Sequence, residues 1–416
     1  MKKRLCLYIL LVFNGLISSL IFAQKTPLKI IGPESVGLSS DSLNKMNTYF
    51  HNLVDNNELA GIQTAIMRKG KLAHYDSYGY ANKEEGKLLD EHSIFRIFSM
   101  TKPIVSVALM QLYEKGYFKL EDPLYRYLPE FKEMYIYSDT GFVMAQSPIR
   151  IIDLLTHTSG FTYGRGPQSE LNQLYADADI HASKTNKELV LKLSKLPLLF
   201  EPGTDWQYGF STNICGYLIE VFSGMSLDAY LLDYIFTPLN MHDTHFQLPQ
   251  GKIDDFTVGY GWQEEDGLTI QEHQRDNRFI NEVTQFNGGG GLVSTTHDYL
   301  NFCQMILNKG TFNNHQLLEE QTVDLIVNDH VQQARSKQGR LRLPFGEYGF
   351  GLGFAIRGNE ELGLEKVYGW GGAVGTYFKI DTEKEIIYIL MIQLSPYRHL
   401  GLRQLFQNYV ESAIVG

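Results

Sequence analysis

The sequence predicts a mixed α/β fold of the α+β kind: an antiparallel sheet flanked by helices, with an all-helical lobe inserted between its strands. Three observations lead there. Strand signals cluster at the two ends of the 416-residue chain, helix signals fill its middle, and an amphipathic helix precedes the first strands.

Residues 39–55 place Leu43, Met46, Phe50 and Leu53 on one helical face, and Ser39, Ser40, Asp41 and Ser42 crowd its start as capping residues. Gly61 to Met67 reads as a strand, Lys69-Gly70 as a turn, and Leu72 to Tyr80 as the returning strand of a hairpin. Residues 103–115 form an apolar helix stopped by Gly116; Pro103 sits early in it, where a missing N–H costs nothing. From about 117 to 290, Pro, Gly, Asn and Asp punctuate helices and loops without strand alternation. Strands return over Ala373 to Ile380 and Ile386 to Gln393, around the turn Asp381-Thr382-Glu383-Lys384, and a helix over about 399–414 closes the chain. The expected organisation is one domain over 24–416. Its sheet lobe takes about 24–115 and 290–416, and its helical lobe about 116–289.

Composition narrows the function. With 44% apolar and 20% charged residues, a chain of this length builds a core without disulfides or metals. A net charge of −10, with no run of five Lys or Arg, argues against a nucleic-acid partner. No C-x-x-C or H-E-x-x-H occurs, so neither a metal nor another cofactor is expected. Met1-Lys2-Lys3-Arg4, the apolar run Leu5 to Phe22, and Ala23 before Gln24 read as an export signal over 1–23. The rival reading is an uncleaved anchor helix. Cleavage removes three positive charges and no acid, so −10 becomes −13, and it leaves an exported, periplasmic or secreted chain without a membrane span. Cys215 and Cys303 remain; without a Cys-rich framework they read as two buried thiols rather than a disulfide.

The chemistry starts at Ser99-Met100-Thr101-Lys102. Residues three apart share a helix face, so the Lys102 amine can lie beside the Ser99 hydroxyl. A serine is a weak nucleophile until a base takes its proton, and lysine serves as that base only when burial or a nearby cation lowers its pKa. Phe95, Phe98 and Ile104 offer the burial. The spacing alone is weak evidence, because Ser42-Leu43-Asn44-Lys45 repeats it in a helix that looks like surface. Other motifs fall short. Gly209-Phe210-Ser211-Thr212-Asn213 lacks the last glycine of G-x-S-x-G, and Gly288 to Gly291 lack the Lys-Ser/Thr of a phosphate loop, reading instead as a tight turn beside a cleft. His157 reads as a hydrogen-bonding residue of its own turn rather than a triad base, and Tyr208 is one of 25 tyrosines. Arg96 either orients the serine segment or pairs at the surface.

Context makes Ser99 specific. Phe95-Arg96-Ile97-Phe98-Ser99-Met100-Thr101-Lys102-Pro103-Ile104 resembles the nucleophile segment of the serine β-lactamase-like superfamily, above all its class C β-lactamase and family VIII carboxylesterase branch. Five further segments agree in family order: Leu120 to Pro129, Ile151 to Gly160, Pro202 to Tyr208, Asn287 to Thr295, and Gly369-Trp370-Gly371-Gly372-Ala373. The resemblance implies a β-lactamase/transpeptidase-like fold with the site between sheet and helical lobe. It implies Ser99 as the acylated nucleophile, Lys102 as its proton acceptor and Tyr208 as a second acid–base that needs cationic neighbours. The backbone N–H groups of Ser99 and Ala373 would form the oxyanion hole.

Two departures set the substrate. β-Lactamases place Asn two residues after the catalytic tyrosine, where this chain has Phe210. They also carry Lys-Thr-Gly where this chain has Trp370-Gly371-Gly372. The missing lysine would face a substrate carboxylate, a contact worth roughly 1.5–3 kcal/mol. Trp370 with Gly371, Gly372 and Phe210 instead suits an uncharged acyl or alcohol group. The expectation is an esterase on small-molecule esters or amides. A β-lactamase or D-amino-acid peptidase, and a silent binding protein of the same fold, are the alternatives. The segment Asp254 to Arg278 is expected at the rim of the cleft.

Overall fold

The computed structural model describes residues 28–138, 141–165, 169–273, 278–331, 349–358 and 366–415. Helix α1 (Ser40–Asp55) begins where the Ser39 hydroxyl accepts the Ser42 N–H at 3.3 Å. Strands β1 (Gly61–Arg68) and β2 (Lys71–Asn82) follow as the expected hairpin, then short β3 (Lys87–Leu88) and β4 (Phe95–Arg96). Helix α2 (Thr101–Glu114) starts two residues earlier than its sequence pattern suggests.

The central segment carries a hairpin β5 (Tyr135–Ser138) and β6 (Gly141–Met144), then α3 (Ile151–Leu155), α4 (Ser169–Asp177), α5 (Asn186–Leu193), α6 (Ser211–Ser223) and α7 (Leu227–Leu231). A second hairpin, β7 (Gly259–Gln263) and β8 (Gly267–Glu272), precedes β9 (Val293–Ser294) and α8 (Thr296–Leu307). The chain ends with a small hairpin β10 (Thr311–Phe312) and β11 (His315–Gln316), helix α9 (Glu320–Ile326), strands β12 (Gly349–Phe350), β13 (Ala355–Arg357), β14 (Val367–Gly371), β15 (Tyr377–Asp381) and β16 (Ile386–Met391), and helix α10 (Leu402–Ala413).

One antiparallel eight-stranded sheet, ordered β12-β13-β14-β15-β16-β1-β2-β3, joins the two ends of the chain. They meet at its centre, where Gln63 of β1 lies opposite Met391 of β16 and Arg68 opposite Ile386. Strand β16 has no polar face, because both of its faces are covered. Ile386, Tyr388 and Leu390 join the core beneath α1 and α10, while Ile387, Ile389 and Met391 join the core shared with α2, α6 and α8.

The inserted lobe is not all helical: it carries both the β5–β6 and the β7–β8 hairpins. Neither shows the usual signal. Strand β6 is exposed along its whole length, so no buried face imposes alternation. Strand β7 reads Gly-Tyr-Gly-Trp-Gln, and its glycines mask the period-two placement of Tyr260 and Trp262. Ala373 to Thr376, expected as strand, form the turn between β14 and β15, closed by the Gly372 N–H on the Thr376 carbonyl at 2.8 Å. Cys215 and Cys303 are buried free thiols. The leader segment 1–23 lies outside the described residues. Among the described residues no single helix is long and apolar enough to cross a membrane.

Candidate active site

The serine segment is pinned from both sides before any chemistry is considered. Strand β4 pairs with β9, with Phe95 opposite Ser294 and Arg96 opposite Val293, and the Ile97 N–H donates to the Leu292 carbonyl at 3.2 Å. The backbone then turns sharply at Phe98, whose φ of 41° is left-handed, a conformation costing a bulky residue about 1–3 kcal/mol. This kink opens the single 3-10 turn Phe98–Met100, which runs into α2. Ser99 therefore sits in the turn before the helix, and Lys102 in the first turn of α2.

Lys102 is 1% exposed, although it is a lysine. Its Nζ donates to the Gly289 carbonyl at 2.5 Å and lies 3.5 Å from Ser99 Oγ. It also sits 4.5 Å from the centroid of the Tyr208 ring. Among the described residues no carboxylate pairs with it. Burial alone pulls its pKa from 10.5 down to about 7. A neutral amine with one N–H on Gly289 can turn its lone pair toward the serine proton. The glycine-rich stretch explains the approach. Gly290 and Gly291 close a turn on the Asn287 carbonyl at 3.1 and 2.8 Å, and a Cβ at Gly289 would collide with Asn213 Oδ1.

Tyr208 is carried by a loop that the segment from Thr156 to Ser159 holds in place. The Thr158 carbonyl accepts the Gly203 N–H at 2.8 Å, and the His157 carbonyl accepts the Gln207 N–H at 2.9 Å. His157 has a φ of 59° and is fully buried. Its backbone makes the expected turn contacts, but neither ring nitrogen finds a hydrogen-bond partner among the described residues. The imidazole is instead an aromatic wall, 4.9 Å from the Tyr208 ring and 5.6 Å from Phe350. Burial and the Lys102 charge hold it well below its ordinary pKa, hence neutral.

The Tyr208 hydroxyl faces Ser99 and accepts the indole N–H of Trp370 at 3.3 Å. Burial pushes its pKa up to about 12 against the opposing pull of these two contacts and of Arg403. The phenol is thus a proton donor at neutral pH. The sequence expectation that Tyr208 shares the base role is revised: Lys102 is lowered into range and Tyr208 is raised out of it.

Ser99, Tyr208, Phe210, Trp370, Gly371, Gly372 and Ala373 all line one cavity of about 590 Å³, and Lys102 Nζ lies 3.5 Å from the Ser99 Oγ at its edge. Phe210 lies edge-on to Tyr163, with centroids 4.7 Å apart. Gly371 and Gly372 are required by crowding: side chains there would meet the Arg403 guanidinium and the Ile97 carbonyl. Trp370, expected only as an apolar wall, is 4% exposed and spends its one polar atom on Tyr208. The segment expected at the rim forms β7–β8, with Gly259 to Gly261 buried, and its last residue, Arg278, reaches the cavity.

Arg96 is buried, not a surface residue. Its guanidinium donates to the Thr257 carbonyl at 2.7 Å, pairs with Glu272 at 2.6 Å and lies 4.0 Å from the Phe256 centroid. That ties the serine segment to the β7–β8 hairpin. Gln393 was invisible in the sequence. Its side-chain amide accepts the Arg96 N–H at 3.2 Å and donates to the Arg96 carbonyl at 3.1 Å, replacing a missing strand partner. The competing motifs resolve differently. Lys45 is an exposed partner of Asp41 at 2.6 Å, and Ser211 is buried against Ser159 at 2.8 Å.

A serine, a buried lysine and a tyrosine meet between an antiparallel sheet and the inserted lobe, and this chain is a serine hydrolase of the β-lactamase fold. It belongs to the beta-lactamase family, whose model matches residues 46–405. An uncharacterized protein of Mycobacterium tuberculosis is 28% identical over 81% of this chain and 86% of its own. A Salmonella typhimurium protein described as "Putative D-alanyl-D-alanine carboxypeptidase" is 26% identical over 94% of this chain and 91% of its own. Among solved structures, EstCE1, a hydrolase with promiscuous acyltransferase activity, superposes with a TM-score of 0.72 at 24% identity, covering 90% of this chain and 99% of that one.

Proposed function

We propose that this chain is an exported esterase that hydrolyses small esters through an acyl-enzyme on Ser99. The observation that carries the reading is that Ser99 and a protonated Tyr208 line one cavity while a lysine amine lowered to about 7 lies 3.5 Å from Ser99 Oγ. Lys102 Nζ takes the Ser99 proton as Oγ attacks the ester carbonyl. The Ser99 and Ala373 N–H groups receive the developing oxyanion, where losing one donor costs about 10²–10³ in rate. The Tyr208 hydroxyl donates a proton to the departing alkoxide and recovers one from Lys102. Water repeats the sequence against the acyl group and frees Ser99. Trp370 in place of a cationic side chain supports esters over β-lactams. Export is supported by the basic start and apolar run of residues 1–22.

A second reading, a peptidase or β-lactamase for cell-wall-derived substrates, is favoured by the likeness to the Salmonella carboxypeptidase-like relative. Acyl transfer to an alcohol is favoured by the likeness to EstCE1, with its promiscuous acyltransferase activity. The test is a substrate panel on purified protein. Short-chain aryl esters are expected to turn over, a chromogenic cephalosporin poorly. A fluorophosphonate probe should label wild type and spare Ser99→Ala. Fast cephalosporin turnover with little ester hydrolysis overturns the esterase preference, and an unlabelled wild type favours a silent binding protein.

A further inference from the structure

The cavity that holds Ser99 is cationic in an acidic protein. The chain has 47 acidic side chains against 37 Lys and Arg, yet the described lining residues include Arg165, Arg278, Arg398 and Arg403 and no Asp or Glu. The four arginines are not equivalent. Arg403, from the sheet side, already donates to the Gly372 and Thr376 carbonyls at 2.6 and 2.8 Å. Arg165 and Arg278 belong to the inserted lobe, and among the described residues neither has an ion-pair partner. Arg278, like Arg165 and His181, is exposed, but its guanidinium lies against two rings of the wall, 5.4 Å from the Phe98 centroid and 4.9 Å from that of Phe279. Phe98 is the residue immediately before Ser99. His181 lines the same wall beside Phe210, with ring centroids 5.4 Å apart, and the charges of both arginines bear on its imidazole. Asp179 acts on His181 as well but does not line the cavity. Among the described residues no carboxylate lines the cavity beside these like charges, so an anion entering it is attracted to both.

We propose that Arg165, Arg278 and His181 form a carboxylate-binding subsite on the helical-lobe wall, so that the substrate cleaved at Ser99 carries a negative charge on its acyl or its alcohol half. The inference rests on the hydrolase reading above and names its substrate class. It also revises the expectation of an uncharged substrate drawn from Trp370. The carboxylate contact absent from the sheet side is offered from the opposite wall. Either planar guanidinium suits a carboxylate, which it can engage through two parallel N–H donors.

Two matched ester pairs test it. One is para-nitrophenyl hexanoate against the mono-para-nitrophenyl ester of adipic acid, with the charge on the acyl half. The other is phenyl butyrate against para-carboxyphenyl butyrate, with the charge on the alcohol half. The expected result is a preference of about ten-fold or more in kcat/KM for the anionic member of one pair, shrinking as salt is added. Arg278→Gln and Arg165→Gln should each lower the anionic member at least about five-fold more than the neutral one. Equal or neutral-preferring turnover in both pairs, or a parallel loss in both members, overturns the subsite while leaving the esterase reading intact. If no ester turns over and the fluorophosphonate leaves Ser99 unlabelled, the hydrolase reading fails. Calorimetric binding of adipate to Ser99→Ala protein then decides the subsite. Binding weakened by the double Arg165→Gln, Arg278→Gln variant supports it; absent or unaltered binding overturns it.

Discussion

Replacing Lys102 by methionine should abolish ester hydrolysis and yet stabilise the protein. The side chain is 1% exposed, and burial lowers its pKa from 10.5 to about 7. At 1.36 kcal/mol per pKa unit, holding this amine inside the fold costs roughly 4–5 kcal/mol wherever it must be charged. Methionine removes that cost but strands the Gly289 carbonyl, a loss of about 1–3 kcal/mol. The net gain should be about 1–4 kcal/mol near pH 6. Its pH dependence is the sharper signature. Below about 7 the amine is protonated in both folded and unfolded chains, and the cost is fully present. Between about 7 and 10.5 the unfolded chain binds the extra proton, so wild-type stability rises with pH. Near 10.5 the cost is gone, and Lys102→Met should be the less stable protein. Urea unfolding of both proteins between pH 6 and 10 measures this, with Lys45→Met as the exposed control expected to show no comparable trend. A stability difference that stays flat with pH, or a destabilised variant at pH 6, would refute the claim that burial sets the Lys102 amine.

Two further outcomes follow from the same geometry. The kcat/KM for an aryl ester should rise about ten-fold per pH unit up to about 7, as Lys102 loses its proton, and then level off, since Tyr208 keeps its proton up to about 12; a profile flat from pH 5 to 8 contradicts this. Trp370→Phe keeps an aromatic ring but deletes the N–H on the Tyr208 hydroxyl. Steady-state kinetics should show a kcat about 2- to 10-fold lower, well short of the loss in Tyr208→Phe; equal losses would mean that Trp370 does more than hold the phenol.

Much of the architecture was legible because it follows from periodicity. The α1 stripe of Leu43, Met46, Phe50 and Leu53, the β1–β2 hairpin at Lys69-Gly70, and the return of strands at the C-terminal end each carry a local pattern. The two hairpins of the insertion were not legible. One has a strand exposed along its whole length, and the other hides its alternation behind glycines. In the site, the residues that ordered motifs single out, Ser99, Lys102, Tyr208 and the Trp370 strand, are brought together by the fold. Gln393, which clamps Arg96, and Arg278, which reaches the cavity, were not found as site residues, because their partners lie far away in the chain.

The two Ser-x-x-Lys motifs separate what each level decides. In sequence, Ser42 with Lys45 and Ser99 with Lys102 are the same spacing, and both lie at helix starts. Sequence spacing alone brings serine and lysine near one another in each, because helical pitch is local. Their chemistry depends on what the fold packs around them. Lys45 stands in solvent beside Asp41, which raises its pKa. Lys102 is enclosed by Gly289, Tyr208 and Tyr163, with no carboxylate partner among the described residues, and its pKa falls to about 7. Solvation is a property of everything packed around a charge, and most of what surrounds Lys102 arrives from residues far away in the chain.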